Sequence, residues 1–281
     1  MNAWYLDGES ATSIDIDDRL VQYGDGLFET IAVRQGRPRL WDYHVERLQT
    51  GCDRLGLPVP DAGYLARLLD AALRGAAFDT LDCTAKLLIS AGPGPRGYRR
   101  PESPAPRVLA GVFESRTPER RCYVDGVTVR ICNLRLAEQV QLAGIKSANR
   151  LEQVLARGEW SDPSIFEGLL LDAGGRLICG TMSNVFLATD NGFVTPAITR
   201  CGVSGVMRRH LLTVLAANGQ QCEVRDIATD ELWQADAVFL TNTHIGCIPV
   251  RRCGDQEWLP GTRARELLRL LAENGVAECR T

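Results

Sequence analysis

The sequence predicts an α+β protein of two domains whose sheets are largely antiparallel. Apolar and β-branched clusters bounded by Gly or Pro recur along the whole chain and read as strands. Amphipathic helices separate them at irregular intervals, so the strict strand–helix alternation of a doubly wound parallel sheet is missing. A charged stretch, ESRTPERR at 114–121, contains Pro118, has no apolar periodicity and divides the chain. The expected domains are a smaller one at 1–113 and a larger one at 122–281, with 114–121 as linker.

In chain order, strands are expected at 3–7, 27–34, 84–90 and 107–113. Between them, residues 41–56 place Val45, Leu48, Cys52 and Leu55 on one helical face, and a second helix covers about 61–75. Beyond the linker, strands are expected at 124–132, 167–172, 177–180, 184–188 and 236–242. Helices are expected at 149–159, 204–217 and 261–273. A cleft between two such domains is a natural small-molecule site.

Composition excludes several classes. The 281 residues are 45% hydrophobic and 24% charged with a net charge of −3, which argues against a nucleic-acid or membrane-surface protein. The N-terminus, MNAWYLDGES, lacks a basic start followed by an apolar stretch, and no apolar run is long enough to span a bilayer. The expectation is a soluble, cytoplasmic protein. The ten cysteines are scattered, with no CxxC and no Cys/His cluster, so no metal site is expected and most should be reduced and buried.

The basic residues are unevenly chosen. Only two of the 32 are lysine, Lys86 and Lys146; the rest are arginine. A position that keeps Lys in such a chain is a candidate for chemistry that arginine cannot perform, namely loss of a proton and condensation with a carbonyl. Lys146, in AGIKSANRLEQVLAR, follows an apolar stretch and precedes an amphipathic helix, which favours a buried amine with a depressed pKa. Lys86, in TAKLLIS, needs only to be a solvated or snorkelling cation.

Three further segments could hold an anion. In GVSGVMRRHLL (202–212), Ser204 is the expected N-cap, and the N–H groups of Val206 and Met207 then lie at a helix N-terminus. TNT (241–243) closes a strand with hydroxyl and amide donors. Arg47, in HVERL, is otherwise an ordinary solvated helix arginine.

Together these segments resemble a known family. YGDGLFET (23–30), HxxRL (44–48), AGIKSANRLEQVL (143–155), GTMSNVF (180–186), GVSGVMR (202–208) and the TNT strand end look like the class-IV aminotransferases, the fold-type-IV pyridoxal phosphate enzymes. The resemblance implies the D-amino-acid aminotransferase-like two-domain fold, with the larger C-terminal domain binding the cofactor. Within the family, the K-x-x-N-R-L-E-Q-V-L block is more like the 4-amino-4-deoxychorismate lyases than the branched-chain or D-amino-acid aminotransferases.

The resemblance also implies roles. Lys146 would hold pyridoxal 5′-phosphate as a Schiff base and then move protons. Arg47 would bind the cofactor phosphate in a bidentate contact, completed by backbone N–H groups of Val206 and Met207 and by Thr243. Asn184 and Phe186 belong to the strand beneath the cofactor. Thr30 and Asn242 fall where the lyases hold substrate, with Thr30 near the leaving group or a carboxylate. Arg96 and Tyr98, in PRGY, fall on a loop that reaches substrate.

Two positions depart from the pattern. Cys179 stands where the family usually has a Glu paired with the pyridine nitrogen; it either tunes the cofactor or is a small core residue. Ser90-Ala91-Gly92 stands where related lyases often read SRG, which removes one candidate for carboxylate binding. The implied reaction converts 4-amino-4-deoxychorismate to 4-aminobenzoate and pyruvate in folate biosynthesis. The implied assembly is a homodimer acting on a small molecule, with no nucleic-acid or membrane partner. The alternatives are a branched-chain or D-amino-acid aminotransferase on the same fold, or a catalytically silent dimer that keeps the cofactor as scaffold.

Overall fold

The computed structural model describes residues 3–76, 82–115 and 117–280. They fall into two compact units, Met1–Arg116 with Ile145–Asn149, and Thr117–Gly144 with Arg150–Thr281. Arg116, inside the expected linker, lies outside the described residues. Ile145–Asn149 differs from the expected division: it belongs with the first unit because its backbone pairs there, Phe28 N donating to Lys146 O and Ala148 N to Gly26 O, both at 2.9 Å.

The first unit is a six-stranded sheet with two long helices. Its elements are β1 (Ala3–Leu6), β2 (Glu9–Ser10), α1 (Arg19–Tyr23), β3 (Gly26–Arg34), β4 (Arg37–Pro38), α2 (Trp41–Leu55), α3 (Ala62–Gly75), β5 (Cys83–Ser90) and β6 (Arg107–Glu114). The strand order is β2-β1-β6-β5-β3-β4, and every pairing is antiparallel. Period-two alternation decides which face is buried. Cys83, Ala85, Leu87 and Ile89 of β5 point into the core, while Thr84, Lys86 and Leu88 lie on the other, part-exposed face.

The helices cover the buried face. Val45, Leu48 and Cys52 of α2 and Leu65, Leu68, Leu69 and Ala72 of α3 join those strand residues in one cluster, as helical spacing requires. The Asp61 carboxylate caps α3 by accepting from Tyr64 N at 2.9 Å. Each fully buried Leu side chain contributes about 1.5–3 kcal/mol of transfer free energy.

The second unit holds a ten-stranded sheet. Its elements are α4 (Arg120–Val124), β7 (Val127–Leu136), α5 (Leu151–Arg157), β8 (Ile165–Asp172), β9 (Arg176–Gly180), β10 (Asn184–Thr189), β11 (Gly192–Pro196), α6 (Val206–Ala217), β12 (Cys222–Arg225), β13 (Ile227–Ala228), α7 (Thr229–Gln234), β14 (Ala237–Asn242), β15 (Gly246–Cys253), β16 (Gln256–Glu257) and α8 (Thr262–Glu273), then a 3₁₀ turn at Ala277–Cys279. The order is β12-β11-β10-β14-β15-β7-β8-β9-β13, with β16 on β15. The sheet is mixed: β7 runs parallel to both β8 and β15, and β11 parallel to β12. The unbroken apolar run Leu169-Leu170-Leu171 is what a strand covered on both faces requires.

Residues 120–124, expected as linker and strand start, form a helix instead. Tyr123 explains the difference: it is 3% exposed and its hydroxyl donates to Ile245 O at 3.0 Å, which anchors the turn to the sheet. Among the described residues no helix is long and apolar enough to cross a membrane.

Candidate active site

In the first unit, Lys146 is fixed by its backbone. Besides the two hydrogen bonds to β3, Ser147 forms an antiparallel bridge with Leu27, so the short segment adds to the edge of β3. The side chain is half-buried, less enclosed than its sequence surroundings imply. Its Nζ lies 4.2 Å from the centroid of the Phe28 ring, which holds a cation by its quadrupole.

Lys86 shares that ring, with Nζ 5.0 Å from the same centroid. Burial lowers its pKa. Lys86 pairs directly with Thr30 across β3 and β5, and Phe28 lies two residues from Thr30, so all three side chains stand on one face of the sheet. Lys86 is thus more than the solvated or snorkelling cation expected from TAKLLIS. Its signal was the strand alternation: the register that buries Leu87 and Ile89 turns Lys86 toward Phe28 and Thr30.

Arg47, on α2, is set by Glu29 of β3. Its Nε donates to Glu29 Oε1 at 2.7 Å and its Nη2 reaches Oε2, while His44 Nδ1 donates to Oε2 at 2.5 Å. Burial alone would raise the Glu29 pKa, but Arg47 and His44 outweigh it and hold the carboxyl at about 2. His44 is fully buried; burial first, with the charges of Arg47 and Lys146, keeps its pKa low despite Glu29. A neutral His44 therefore carries its proton on Nδ1, facing the carboxylate. With its Nε–Nη2 edge on Glu29, Arg47 would meet a phosphate through its Nη1–Nη2 edge.

The segment 92–101 carries Arg96 and Tyr98, both exposed, Tyr98 to 88%.

In the second unit, α6 is capped by Gly205, not by Ser204 as expected. Ser204 is used one step earlier, its N–H donating to Gly144 O at 3.0 Å. Gly205 is required sterically: a Cβ there would fall 1.9 Å from Asn184 Oδ1, and Asn184 Nδ2 donates to Val203 O at 2.9 Å. The first helical bond runs from Arg209 N to Gly205 O, so the N–H groups of Val206 and Met207 precede the helical ladder, and the glycine cap offers them no side-chain acceptor. Thr243 is buried at the start of the turn that follows β14. The Asn242 amide holds that turn: Oδ1 accepts from His244 N and Ile245 N at 2.9 Å, and Nδ2 donates to Met182 O at 3.1 Å. Phe186 is fully buried opposite Phe239.

Cys179, on β9, is 6% exposed and packs with Cys132, Leu170, Ile178 and Cys201. Burial, then Cys201 and Glu167, push its thiol far above the ordinary range despite Arg150, so it stays protonated. Glu167, unremarked in the sequence, is a buried carboxylate that accepts from Thr181 N, Thr181 Oγ1, Met182 N and Ser183 Oγ at 2.5–3.2 Å. It shapes the GTMS turn that leads into Asn184. Burial raises its pKa against those hydrogen bonds.

The family model for amino-transferase class IV matches residues 26–253. The chain belongs to the class-IV aminotransferases. The aminodeoxychorismate lyase of Vibrio harveyi is 34% identical over 247 residues, covering 88% of this chain and 90% of the relative. The D-alanine aminotransferase of Bacillus licheniformis is 28% identical over 86% of this chain and 83% of its own. Among solved structures, the 4-amino-4-deoxychorismate lyase of Pseudomonas aeruginosa superposes with a TM-score of 0.92 at 41% identity, over 97% of this chain and 99% of that one. The Escherichia coli branched-chain amino acid aminotransferase reaches 0.85 at 20% identity, over 98% and 95%, and shares the fold.

Class-IV aminotransferases are pyridoxal-phosphate enzymes, and a Mycobacterium tuberculosis structure of this fold is a PLP-bound form. The residues present fit that group. In the first unit, Lys146 is a primary amine on a segment paired with β3, and Arg47 is a guanidinium already oriented by Glu29; in the second, the glycine cap of α6 makes no side-chain hydrogen bond to the first N–H groups of the helix.

Proposed function

We propose that this chain splits 4-amino-4-deoxychorismate into 4-aminobenzoate and pyruvate, the step that supplies the arene of folate. The observation that carries the reading is Lys146, pinned through its backbone to β3 with its amine over Phe28, inside the AGIKSANRLEQVL block that resembles the lyases. The lyase relatives, at 34% and 41% identity, favour it over the aminotransferases at 28% and 20%.

Pyridoxal 5′-phosphate, when bound, supplies a carbonyl for the substrate amine and a conjugated ring that accepts an electron pair. Lys146 would hold the cofactor through its Nζ and would be the base that takes the proton from the ring carbon bearing the amine. Departure of enolpyruvate from the adjacent carbon completes an aromatic ring, so the protein chiefly has to orient the substrate and supply a base. Thr30 donates a hydrogen bond near the leaving group. Lys86, paired with Thr30 in register, and Arg96 are cations suited to substrate carboxylates. Within the first unit, Arg47 is suited to a phosphate; within the second, the N–H groups of Val206 and Met207 and the Thr243 hydroxyl are donors suited to one. Cys179 would face the pyridine nitrogen, and Asn184 belongs to the strand that would support the cofactor.

The proposed assembly is a homodimer. Leu151, Val154 and Leu155 of α5 are 75%, 63% and 65% exposed, an apolar face that a second copy would cover. All ten cysteines are free thiols, which suits a reducing cytoplasm.

The test supplies the holoenzyme with chorismate, glutamine and an aminodeoxychorismate synthase. Formation of 4-aminobenzoate, lost in Lys146→Ala, supports the reading; amino-group transfer from amino acids without 4-aminobenzoate overturns it in favour of an aminotransferase.

A further inference from the structure

We propose that Arg19 and Asp25 are positioning residues that lock the 92–101 segment, so that Arg96 and Tyr98 are held out side by side to receive a substrate carboxylate. The inference deepens the proposed function and rests on it for the role of Arg96.

Arg19 opens α1 and is 3% exposed, yet its guanidinium serves a surface segment. Nη1 donates to Gly97 O at 2.9 Å and Nη2 to Tyr98 O at 3.0 Å. Its Nε donates to Asp25 Oδ2 at 2.8 Å, and Cζ lies 4.8 Å from the centroid of the Tyr23 ring. Tyr23 adds a third tether, its hydroxyl oxygen accepting from Gly97 N at 2.9 Å, and its ring meets Tyr98 edge-on at 5.6 Å. The N–H and C=O of Gly97 and the C=O of Tyr98 are thus all bound by side chains of one short helix.

Asp25 holds the other end. Besides Arg19 it accepts from Arg100 Nε at 2.9 Å and Nη2 at 2.5 Å, and Arg100 Nη1 reaches Leu55 O. Burial opposes ionisation of Asp25, but Arg100 and Arg19 prevail and keep its pKa low. The tethers therefore grip the Arg96–Tyr98 tip at Gly97 and Tyr98 and the chain just beyond it at Arg100.

A stability role does not explain this arrangement well. A buried guanidinium–carboxylate pair gains little over apolar packing, because desolvation offsets the Coulomb attraction. What it supplies is geometry. Arg96 and Tyr98 are exposed, so their direction is set by the backbone between them and, for Tyr98, by its edge-on contact with Tyr23. That backbone passes through Gly97 at φ +105°, which favours glycine, with open space where a Cβ would go. A fixed tip lowers the ordering cost of gripping a carboxylate between a guanidinium and a phenol.

Steady-state kinetics of the holoenzyme with aminodeoxychorismate test this in Arg96→Ala, Asp25→Asn, Gly97→Ala and the double variants with Arg96→Ala. Asp25→Asn and Gly97→Ala are expected to raise KM about tenfold with kcat within about twofold of wild type, and with cofactor absorbance unchanged. In the Arg96→Ala background neither should raise KM further, because both act through that side chain. A merely structural Asp25 would instead lower kcat and cofactor content together, and its effect would multiply with Arg96→Ala; that result overturns the proposal. So does an unchanged KM in Gly97→Ala when Arg96→Ala raises it. Gly97→Ala adds strain at the tip alone and keeps the test available if Asp25→Asn does not fold. An unchanged KM in Arg96→Ala itself overturns the assigned role of Arg96, and this proposal with it.

Discussion

Arg47 Nε donates to Glu29 Oε1 over 2.7 Å, and its Nη2 reaches the other oxygen of the same carboxylate. The guanidinium plane is therefore set before any phosphate arrives. Arg47→Ala should lower pyridoxal phosphate affinity by on the order of a hundredfold while substrate preference changes little, since a charge-assisted bidentate contact is removed. Cofactor titration followed by absorbance checks this; unchanged affinity would remove Arg47 from the phosphate site.

Glu29 should make stability depend on acid. Its folded pKa of about 2 is below the ordinary 4.5, so its contribution is complete above pH 4.5 and is lost as pH falls toward 2. His44, also held below its ordinary 6.5, adds a loss that begins once pH drops beneath 6.5, because the unfolded chain takes up a proton the native imidazole does not. Glu29→Gln leaves Arg47 without its carboxylate and should cost on the order of 3 kcal/mol at pH 7. Denaturant melts of the two proteins from pH 7 to pH 2.5 should show that gap narrowing; a constant gap would mean the charge of Glu29 is not what stabilises.

Lys86→Met keeps the apolar stem and removes the cation facing Thr30 and Phe28. KM for aminodeoxychorismate should rise about tenfold, as the loss of one charge-assisted hydrogen bond implies, with cofactor content unchanged. A variant with wild-type KM would return Lys86 to a structural role.

The Cys179 thiol stays protonated because burial disfavours its anion, so it can offer a pyridine nitrogen only a weak hydrogen bond. Cys179→Glu would place a carboxylate within the field of Arg150. The ratio of amino-group transfer to 4-aminobenzoate formation should then rise, because transfer needs the stronger electron sink. If ratio and cofactor spectrum both stay constant, Cys179 is simply part of the cluster it shares with Cys132 and Cys201.

Local chemistry made much of this legible in the sequence. The helical spacing of Val45, Leu48 and Cys52 and the alternation in β5 depend only on near neighbours, and the rarity of lysine singled out Lys146. Long-range contacts escaped. Nothing local says that Ile145–Asn149 pairs with β3, that Lys86 meets the ring beneath Lys146, or that Glu167 gathers the Thr181–Ser183 turn. The cap of α6 falls on Gly205, one residue past Ser204, where Asn184, twenty-one positions earlier in the chain, fills the space that a side chain would need. Asp25, inside a motif noted for its resemblance, shows its partners Arg19 and Arg100 only once the chain has folded.

The central claim is that Lys146, and not Lys86, holds the cofactor, although the two lysines of the chain lie over one Phe28 ring. Borohydride reduction of the holoenzyme followed by peptide mapping tests it directly. The pyridoxyl label is expected on the peptide containing Lys146, with Lys86 unmodified. Recovery of the label on Lys86, or on neither lysine, would contradict the account.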